Sequence, residues 1–312
     1  MSFRSIYQLI LFLGLQFAGV LSGQICSCGG APLLNSLAFS GVERGTVRVA
    51  LEYEYHNISD VVSRSRQLSN DSRWQLTQSG ILKISYGASQ LLSVSALVTL
   101  VQKERAASDH ILVRGIGDGV LLVNLALLPG KLQANQVLVL TGGLKAPLGN
   151  PAMELNGRLV SPDLQPTSGS WDGIISLYGA HSFLDRPLQL FVHTSYRWTG
   201  TNEPYAFSDL KYKFGNEFVA NLGVSYYPRY RHRTSIMLQY RFSGMDRFGD
   251  FQNPNTGGQW IDLVPGIDLE LTRASRLDLS GHLPLYRSLE GALQLTTSYS
   301  VKVALYYEFS GV

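Results

Sequence analysis

The chain has 312 residues, of which 45% are hydrophobic and only 16% charged, and its formal net charge is +3. Such sparse and balanced charge argues against a disordered chain and against a nucleic-acid-binding surface, while the length allows one large or two ordinary domains. After the N-terminus, no segment approaches the roughly 20 uninterrupted apolar residues that a membrane-spanning helix needs.

The N-terminus has the pattern of a secretory signal peptide. Arg4 precedes an apolar run from Leu9 to Leu21, and the run closes on the small residues Ser22 and Gly23. A basic start, a short apolar centre and small residues at its end are typical of a cleavable export signal rather than an uncleaved anchor. We therefore expect residues 1–23 to be removed and the mature chain to be exported.

The only two cysteines, Cys26 and Cys28, follow this expected cleavage point. Ile25 precedes Cys26, where lipid attachment in a lipoprotein would need a small residue, and a lone Cys-x-Cys pair is a weak metal signal. We interpret residues 24–44 as an N-terminal periplasmic segment or plug and expect neither a metal nor a cofactor.

From Gly45 onward, apolar and polar residues alternate in long runs. In "VRVALEYEY", Val47 and Leu51 lie on one face of an extended chain, and Arg48 and Glu52 lie on the other. A period of two is that of a β-strand. Runs of about 10 to 14 residues suit a tilted membrane-crossing strand better than a strand of a globular sheet. The predicted strands are 46–56, 73–86, 90–101, 116–128, 133–144, 171–183, 188–199, 214–227, 232–243, 259–271, 274–287 and 292–309.

The connections between these strands alternate in length. Short turns such as 184–187 and 228–231 alternate with long connections. The last connection, 288–291, lies at the end of the long connections but is itself short. The long connections are 57–72, 102–115, 145–170, 200–213 and 244–258. Tight turns at one end and long loops at the other are typical of outer-membrane barrels, and lipid requires such a sheet to close. We predict an all-β fold over residues 45–312, a closed antiparallel up-and-down transmembrane β-barrel of about 12 strands, rather than a soluble β-sandwich.

The polar face of these strands is expected to line the interior of the barrel. It carries charges of both signs, and about twelve strands enclose more space than side chains alone fill, but less than an open porin. The predicted lumen-lining residues are Arg48, Glu52, Glu54, His193, Arg197, Gln239, Arg241, Asp262, Asp268, Glu270, Asp278 and Lys302. We predict a narrow charged channel, partly plugged by residues 24–44 or by the 145–170 connection.

Four stretches carry a resemblance to a known family. They are "GIGDGVLLVNLAL" from Gly115, "GGLKAPLG" from Gly142, "LQPTSGSWDGIISLYGAHSF" from Leu164 and "FGNEFVANLGVSYYP" from Phe214. In this order they resemble the outer-membrane β-barrel family of MetA-pathway phenol-degradation proteins, also described as outer-membrane transporters. The resemblance implies passage of small, often hydrophobic compounds across the outer membrane.

Two further motifs contain residue types that could take part in catalysis. His193 and Ser195 share one strand face, which would suit a serine nucleophile beside a base, but this face points to the lumen and a phospholipase must present such a pair to lipid. Asp118, between Gly117 and Gly119, is interpreted as a turn residue. We therefore expect no enzymatic activity.

The sequence thus predicts a bacterial outer-membrane channel or transporter for small, hydrophobic or aromatic molecules. Expected partners are outer-membrane lipid, a small-molecule solute and the barrel-assembly machinery, because the aromatic end of "SVKVALYYEF" resembles the strand that this machinery reads; nucleic acid is not expected. The alternatives are a structural or adhesive barrel that binds partners through its long loops, and a secreted soluble β-sandwich that acts as a binding module.

Overall fold

The fold is all-β and is built from long antiparallel strands. The computed structural model describes residues 24–25, 42–70, 72–107, 109–128, 135–207, 210–229 and 232–310, so the expected signal peptide and most of the 24–44 segment lie outside the described residues. No helix within these ranges is both long and apolar enough to cross a membrane. The strand pattern therefore decides the architecture.

Twelve of the strands form the wall of the barrel. In chain order they are β1 Thr46–Ser63, β2 Trp74–Gly87, β3 Leu92–Ala106, β4 His110–Ala126, β5 Gln136–Pro147, β6 Asp172–Ser182, β7 Leu188–Trp198, β8 Glu217–Arg229, β9 His232–Ser243, β10 Gly258–Glu270, β11 Ser275–Leu289 and β12 Gln294–Ser310.

Each strand pairs antiparallel with the next along the chain, and β12 pairs with β1 to close the sheet. The closing ladder runs from Thr46 opposite Ser310 to Val62 opposite Gln294. The predicted twelve-stranded closed antiparallel barrel is confirmed, and the β-sandwich alternative is wrong because a single sheet closes on itself.

The outer face of the barrel is apolar. Leu51 is 58% exposed, Leu222 63% and Leu305 42%, although each lies in the middle of a long strand. The neighbouring positions in sequence, such as Ala304 and Glu52, point inward and are buried. This inside-out distribution is the pattern of a barrel that presents side chains to acyl chains rather than to water.

Short elements occupy the end of the barrel that carries the long loops. The 148–171 loop contains the strand pair Glu154–Leu155 and Arg158–Leu159 and a 3₁₀ turn, Pro162–Leu164. A four-stranded sheet consists of Asn202–Phe207, Leu210–Lys213, Arg247–Phe248 and Phe251–Gln252. Arg66–Leu68 pairs antiparallel with the end of β1 at Val61–Ser63, and Gln24–Ile25 pairs parallel with Gln294–Leu295.

One predicted connection is wrong, and a second, 57–72, is predicted too long because β1 continues to Ser63. Residues 102–115 were expected to form a long loop, but β3 continues to Ala106 and β4 begins at His110. Lys103 and Arg105 are charged, yet they continue the inward face of β3 and bind a loop inside the barrel, so their polarity marks the lumen rather than a loop. The strands at this point project beyond the length that a membrane requires.

The glycine-rich stretch at Asp118 is a β-bulge within β4 and not a turn. Val98 lies opposite Gly119 and Leu100 lies opposite Ile116, so Gly117 and Asp118 together face Thr99. Thr99 Oγ1 donates to the backbone oxygen of Asp118 at 3.0 Å. A bulge shifts the alternation by one residue, and here it turns the Asp118 carboxylate into the barrel.

Candidate functional site in the barrel lumen

A belt of alternating charges crosses six consecutive strands inside the barrel, near the end with the long loops. From β4 to β9, each strand contributes one member, with signs that alternate from negative to positive. The members of this charge belt are Asp118, Lys145, Asp172, Arg197, Glu217 and Arg241.

Lys145 holds the first half of the charge belt together. Its Nζ lies 3.2 Å from Asp118 Oδ2 and 2.8 Å from Asp172 Oδ2, and all three side chains are almost completely buried. Taking a charge out of water is costly unless a partner compensates it. The Lys145 ammonium group therefore compensates the charge of both buried carboxylates, and they compensate its charge in turn.

Arginines continue the belt on the other side. Arg197 Nη1 lies 3.9 Å from Asp172 Oδ2, and its Nη2 lies 2.9 Å from Glu217 Oε2. Arg241 Nε donates to Glu217 Oε1, and the Arg241 guanidinium carbon lies 4.9 Å from the centre of the Trp260 ring. The belt thus ends in a cation–π contact on β10.

The 148–171 loop folds back into the lumen and is bound there. Lys103 Nζ donates to the backbone oxygens of Asp163 and Gln165, at 2.8 Å each, and Arg105 Nη1 donates to Asp163 Oδ2 at 2.9 Å. Leu164 is fully buried in a cluster with Val113 and Val160. The predicted plugging loop is therefore anchored inside the barrel by lysine and arginine side chains of β3.

The bulge residue Asp118 joins this loop to the charge belt. Its carboxylate accepts hydrogen bonds from the Thr167 hydroxyl and from the backbone N–H of Ser168, the latter at 3.2 Å. Lys145 Nζ donates in turn to the Ser168 hydroxyl. Lumen charges and loop therefore form one hydrogen-bonded unit, which we call the loop anchor: Lys103, Arg105, Asp118 and Lys145 on the wall, and 161–170 of the loop.

Gly117 lies in close contact with side chains of β3 and with the backbone of the loop. A Cβ atom at Gly117 would lie 2.2 Å from Thr99 Oγ1 and 3.1 Å from the backbone oxygen of Pro166. We expect Gly117→Val to lower the free energy of unfolding by about 1–3 kcal/mol, because overpacking forces neighbours apart. Unfolding in urea and protease cleavage within the loop would measure this.

Gly142→Val is the matched control, because a Cβ at Gly142 meets nothing within 4 Å on the outer face of β5. It should shift the free energy of unfolding by no more than about 0.5 kcal/mol. Equal effects of the two substitutions would show that the neighbours of Gly117 on β3 and in the loop can move aside.

Asp246 connects the four-stranded sheet of 202–213 and 247–252, which we call the loop sheet, to the rim of the barrel. Its carboxylate accepts from the Tyr212 hydroxyl and, at 2.8 Å, from the backbone N–H of Gly215. Burial and the neighbouring Asp246 carboxylate raise the pKa of Tyr212 well above its usual value, so the phenol stays protonated and remains a donor. Tyr212 also packs against Tyr205 and Phe214.

A separate cavity of about 180 Å³ lies deeper in the lumen. Its lining includes Phe191, His193, Asp278, His282 and Lys302. The Asn221 amide donates to Nδ1 of His193 at 3.2 Å, whereas His193 Nε2 has no hydrogen-bond partner among the described residues. The cavity therefore offers apolar surface beside polar groups.

The predicted lumen-lining residues all occupy inward-facing positions, but they fall into separate groups. Arg197 and Arg241 belong to the charge belt. His193 and Asp278 line the cavity, Gln239 donates to the Asn221 side chain at 3.0 Å, and Asp262 lies opposite Gln239 across β9 and β10.

The remaining predicted residues lie beside charged or histidine partners: Lys302 Nζ is 3.9 Å from Glu52 Oε2, Glu54 Oε2 is 3.2 Å from His56 Nε2, Arg48 Nε donates to Glu308 Oε1 at 2.7 Å, and Arg233 Nη2 donates to Asp268 Oδ2 at 3.1 Å. Glu270 is half-buried and lies opposite Arg276 near a short turn.

Four members of the charge belt were not among the predicted residues. Asp118 was interpreted as a turn residue, and Lys145 lies just beyond the predicted strand 133–144. Asp172 and Glu217 lie near the starts of the predicted strands 171–183 and 214–227 but were not assigned to a face. The alternation itself contained a signal, because Thr141, Gly143 and Lys145 share one face of β5.

These features define a class: a closed twelve-stranded antiparallel barrel with an apolar outer band and a charged interior. The chain is similar to the crystal structure of the COG4313 outer membrane channel from Pseudomonas putida F1, with a TM-score of 0.73 and 14% identity over 87% of this chain and 98% of that chain. At that identity the likeness shows a shared fold.

Two further solved structures are more distant. The β domain of the Bordetella autotransporter BrkA has a TM-score of 0.46 and 13% identity over 85% of this chain and 100% of that chain. The P. putida toluene transporter TodX has a TM-score of 0.42 and 10% identity over 86% of this chain and 91% of that chain. No family model and no curated protein matches the chain.

Proposed function

We propose that the protein is a channel of the bacterial outer membrane through which small molecules pass without catalysis. The observation that carries this proposal is the closed barrel itself, apolar on its outer face and lined inside by ion pairs and a cavity of about 180 Å³. A barrel filled only for rigidity would not need an internal cavity, and a water-soluble protein would not expose Leu51, Leu222 and Leu305.

The solute would be small and at least partly apolar. A cavity of about 150 Å³ lined by apolar side chains accommodates benzene, so about 180 Å³ suits a molecule with one ring. Phe191, Met237 and Val264 provide apolar contact, and His193 Nε2 is available for a hydrogen bond. The fold shared with an outer membrane channel supports the same proposal.

The predicted lumen-lining residues would serve as the walls of this path. Outer-membrane lipid would contact the exposed apolar band, and the barrel-assembly machinery would insert the exported chain. These partners follow from the membrane location that we propose.

Reconstitution into planar bilayers would test the channel function directly. We expect the purified barrel to give discrete conductance steps and to admit small single-ring solutes into liposomes. The control is the same preparation unfolded by heating before reconstitution. A correctly folded barrel that gave neither conductance nor solute entry would overturn the proposal.

A further inference from the structure

Three polar side chains inside the barrel are joined in a row across neighbouring strands. Gln239 Nε2 of β9 donates to the side-chain oxygen of Asn221 on β8 at 3.0 Å, and the side-chain nitrogen of Asn221 lies 3.2 Å from His193 Nδ1 of β7. The strand ladders place His193 opposite Asn221, and Asn221 opposite Gln239. We call these three side chains the amide–imidazole row.

The direction of these hydrogen bonds determines which nitrogen of His193 carries the proton. Because Gln239 occupies the side-chain oxygen of Asn221, the NH₂ group of Asn221 faces the imidazole. An NH₂ group can only donate, so Nδ1 of His193 is the acceptor. A neutral imidazole has one donor nitrogen and one acceptor nitrogen, and its proton is therefore held on Nε2. The row thus makes His193 Nε2 an N–H donor.

This donor is the polar atom that the cavity leaves unpaired. His193 is 5% exposed and lines the cavity of about 180 Å³. Among the lining residues that the structure describes, His193 is the one with a buried side-chain polar atom that has no hydrogen-bond partner. An unpaired buried donor is costly, and a ligand that accepts its hydrogen bond removes that cost.

The two cationic side chains of the same lining already have partners. Arg233 Nη2 donates to Asp268 Oδ2 at 3.1 Å, and Lys302 Nζ lies 3.9 Å from Glu52 Oε2. A solute therefore does not need a negative charge to compensate them. A neutral solute also avoids the cost of taking a charge out of water.

Apolar surface lies beside the donor. Phe191 is two positions from His193 on the same face of β7, and Met237 and Val264 also line the cavity. The amide–imidazole row lies at the end of the cavity nearest the charge belt, because the lining on β7 ends at His193, four positions before Arg197. A solute that has passed the belt would meet the donor as it enters the cavity.

We infer that the cavity selects neutral single-ring solutes that carry a hydrogen-bond acceptor, such as an aromatic ketone or aldehyde, and that His193 Nε2 binds the acceptor. The inference deepens the proposed channel function and rests on it. Asn221 and Gln239 are positioning residues, because they hold the proton of His193 on Nε2. A solute without an acceptor fits the same apolar surface but leaves the donor unpaired.

Nitrogen NMR of the detergent-solubilised barrel tests the position of the proton. In protein with isotopically labelled histidine, the chemical shifts distinguish a protonated ring nitrogen from an unprotonated one, and the His193 signals are those that His193→Phe removes. We expect a protonated Nε2 and an unprotonated Nδ1 at neutral pH. Asn221→Leu should let both tautomers be populated, which loss of a merely structural contact would not do. A proton on Nδ1 in the parent would overturn the inference.

A matched pair of solutes tests the selection. Acetophenone and α-methylstyrene have nearly the same shape, but only acetophenone has a carbonyl oxygen. Their dissociation constants are measured by titration in detergent, with free concentrations corrected for uptake by empty micelles. Since a neutral hydrogen bond contributes modestly to binding, His193→Phe should weaken acetophenone binding about 3- to 10-fold more than α-methylstyrene binding. Comparing each solute with itself cancels the difference in their hydrophobicity.

The matched control is His181→Phe, the same substitution on the outer face of β6. His181 is three positions from the cavity-lining Tyr178 and so faces away from the lumen. It should change the binding of neither solute. An equal effect of His193→Phe on both solutes would overturn selection by His193.

The binding and NMR measurements do not require the barrel to conduct, so the two proposals can fail separately. A barrel that conducts in planar bilayers but loses both solutes equally in His193→Phe would keep the channel function and refute the selection. A barrel that binds acetophenone through His193 but gives neither conductance nor solute entry into liposomes would refute the channel function and keep the binding site.

Discussion

Replacing Lys145 with methionine is expected to lower the free energy of unfolding by about 3–5 kcal/mol, the usual cost of removing one partner from a buried ion pair. Lys145 lies between Asp118 and Asp172, and all three side chains are almost completely buried. The substitution would leave two carboxylates facing each other without the cation that separates them. Methionine has a similar volume, so lost packing contributes little to this cost.

Urea unfolding followed by heat-modifiable migration on gels would measure the change. The control is Lys211→Met, which removes a lysine from an exposed ion pair with Glu203 in the loop sheet. Exposed pairs contribute about 0–1 kcal/mol, so this variant should unfold almost like the parent.

A triple variant distinguishes the effect of charge from the effect of side-chain shape. Lys145→Met combined with Asp118→Asn and Asp172→Asn removes the buried charges together with their counterion. It should therefore be more stable than Lys145→Met alone. If the single and combined variants were equally destabilised, the loss would come from packing around position 145 rather than from uncompensated charge.

The barrel could be predicted from sequence because its wall depends on a local pattern. Strands such as β9 and β12 alternate apolar and polar residues at a period of two, and that period is visible without any knowledge of distant contacts. The pairing of Val47–Tyr55 with the last strand also follows, since a closed barrel joins its ends, and the observed ladder confirms it.

The loop anchor could not be predicted in the same way, because it depends on contacts between distant residues. Lys103 and Asp163 are 60 positions apart, and Asp118 and Thr167 are 49 apart. Nothing in the local pattern of 102–115 distinguishes charged side chains on a solvated loop from charged side chains on a strand that bind a loop inside the barrel. Because the charges of 102–115 were assigned to a solvated loop, the predicted strands end too early, and β3 and β4 are longer at this end than predicted.

The bulge at Asp118 and the end of the β11–β12 ladder at His282, two residues before Pro284, illustrate a related difficulty. Glycine flanking aspartate suits a turn and a bulge equally well, and proline within a strand marks an interruption without showing which neighbour loses its ladder. In both places only the register of the neighbouring strands identifies the outcome. At irregular positions of this kind the wall departs from a uniform barrel.

Replacing residues 161–170 with a short glycine–serine linker is expected to raise single-channel conductance several-fold. This segment occupies the lumen, where Lys103, Arg105, Asp118 and Lys145 bind it. Its removal would widen the path and leave those charges facing water. Water would then solvate Lys103, Asp118 and Lys145, so the cost of their lost partners should be smaller than in a dry interior.

A control within the same loop shows whether conductance depends on the anchored segment 161–170 or on any change to the loop. The exposed tip Leu155–Arg158 lies outside the loop anchor, and replacing Leu155 and Arg158 with serine on either side of its Asn156-Gly157 turn should leave conductance unchanged. Planar-bilayer recordings of both variants beside the parent would compare them at equal ionic strength. An unchanged conductance after loss of 161–170 would place the narrowest point elsewhere, and the ends of β1 and β12 near Arg105 would be the next region to shorten.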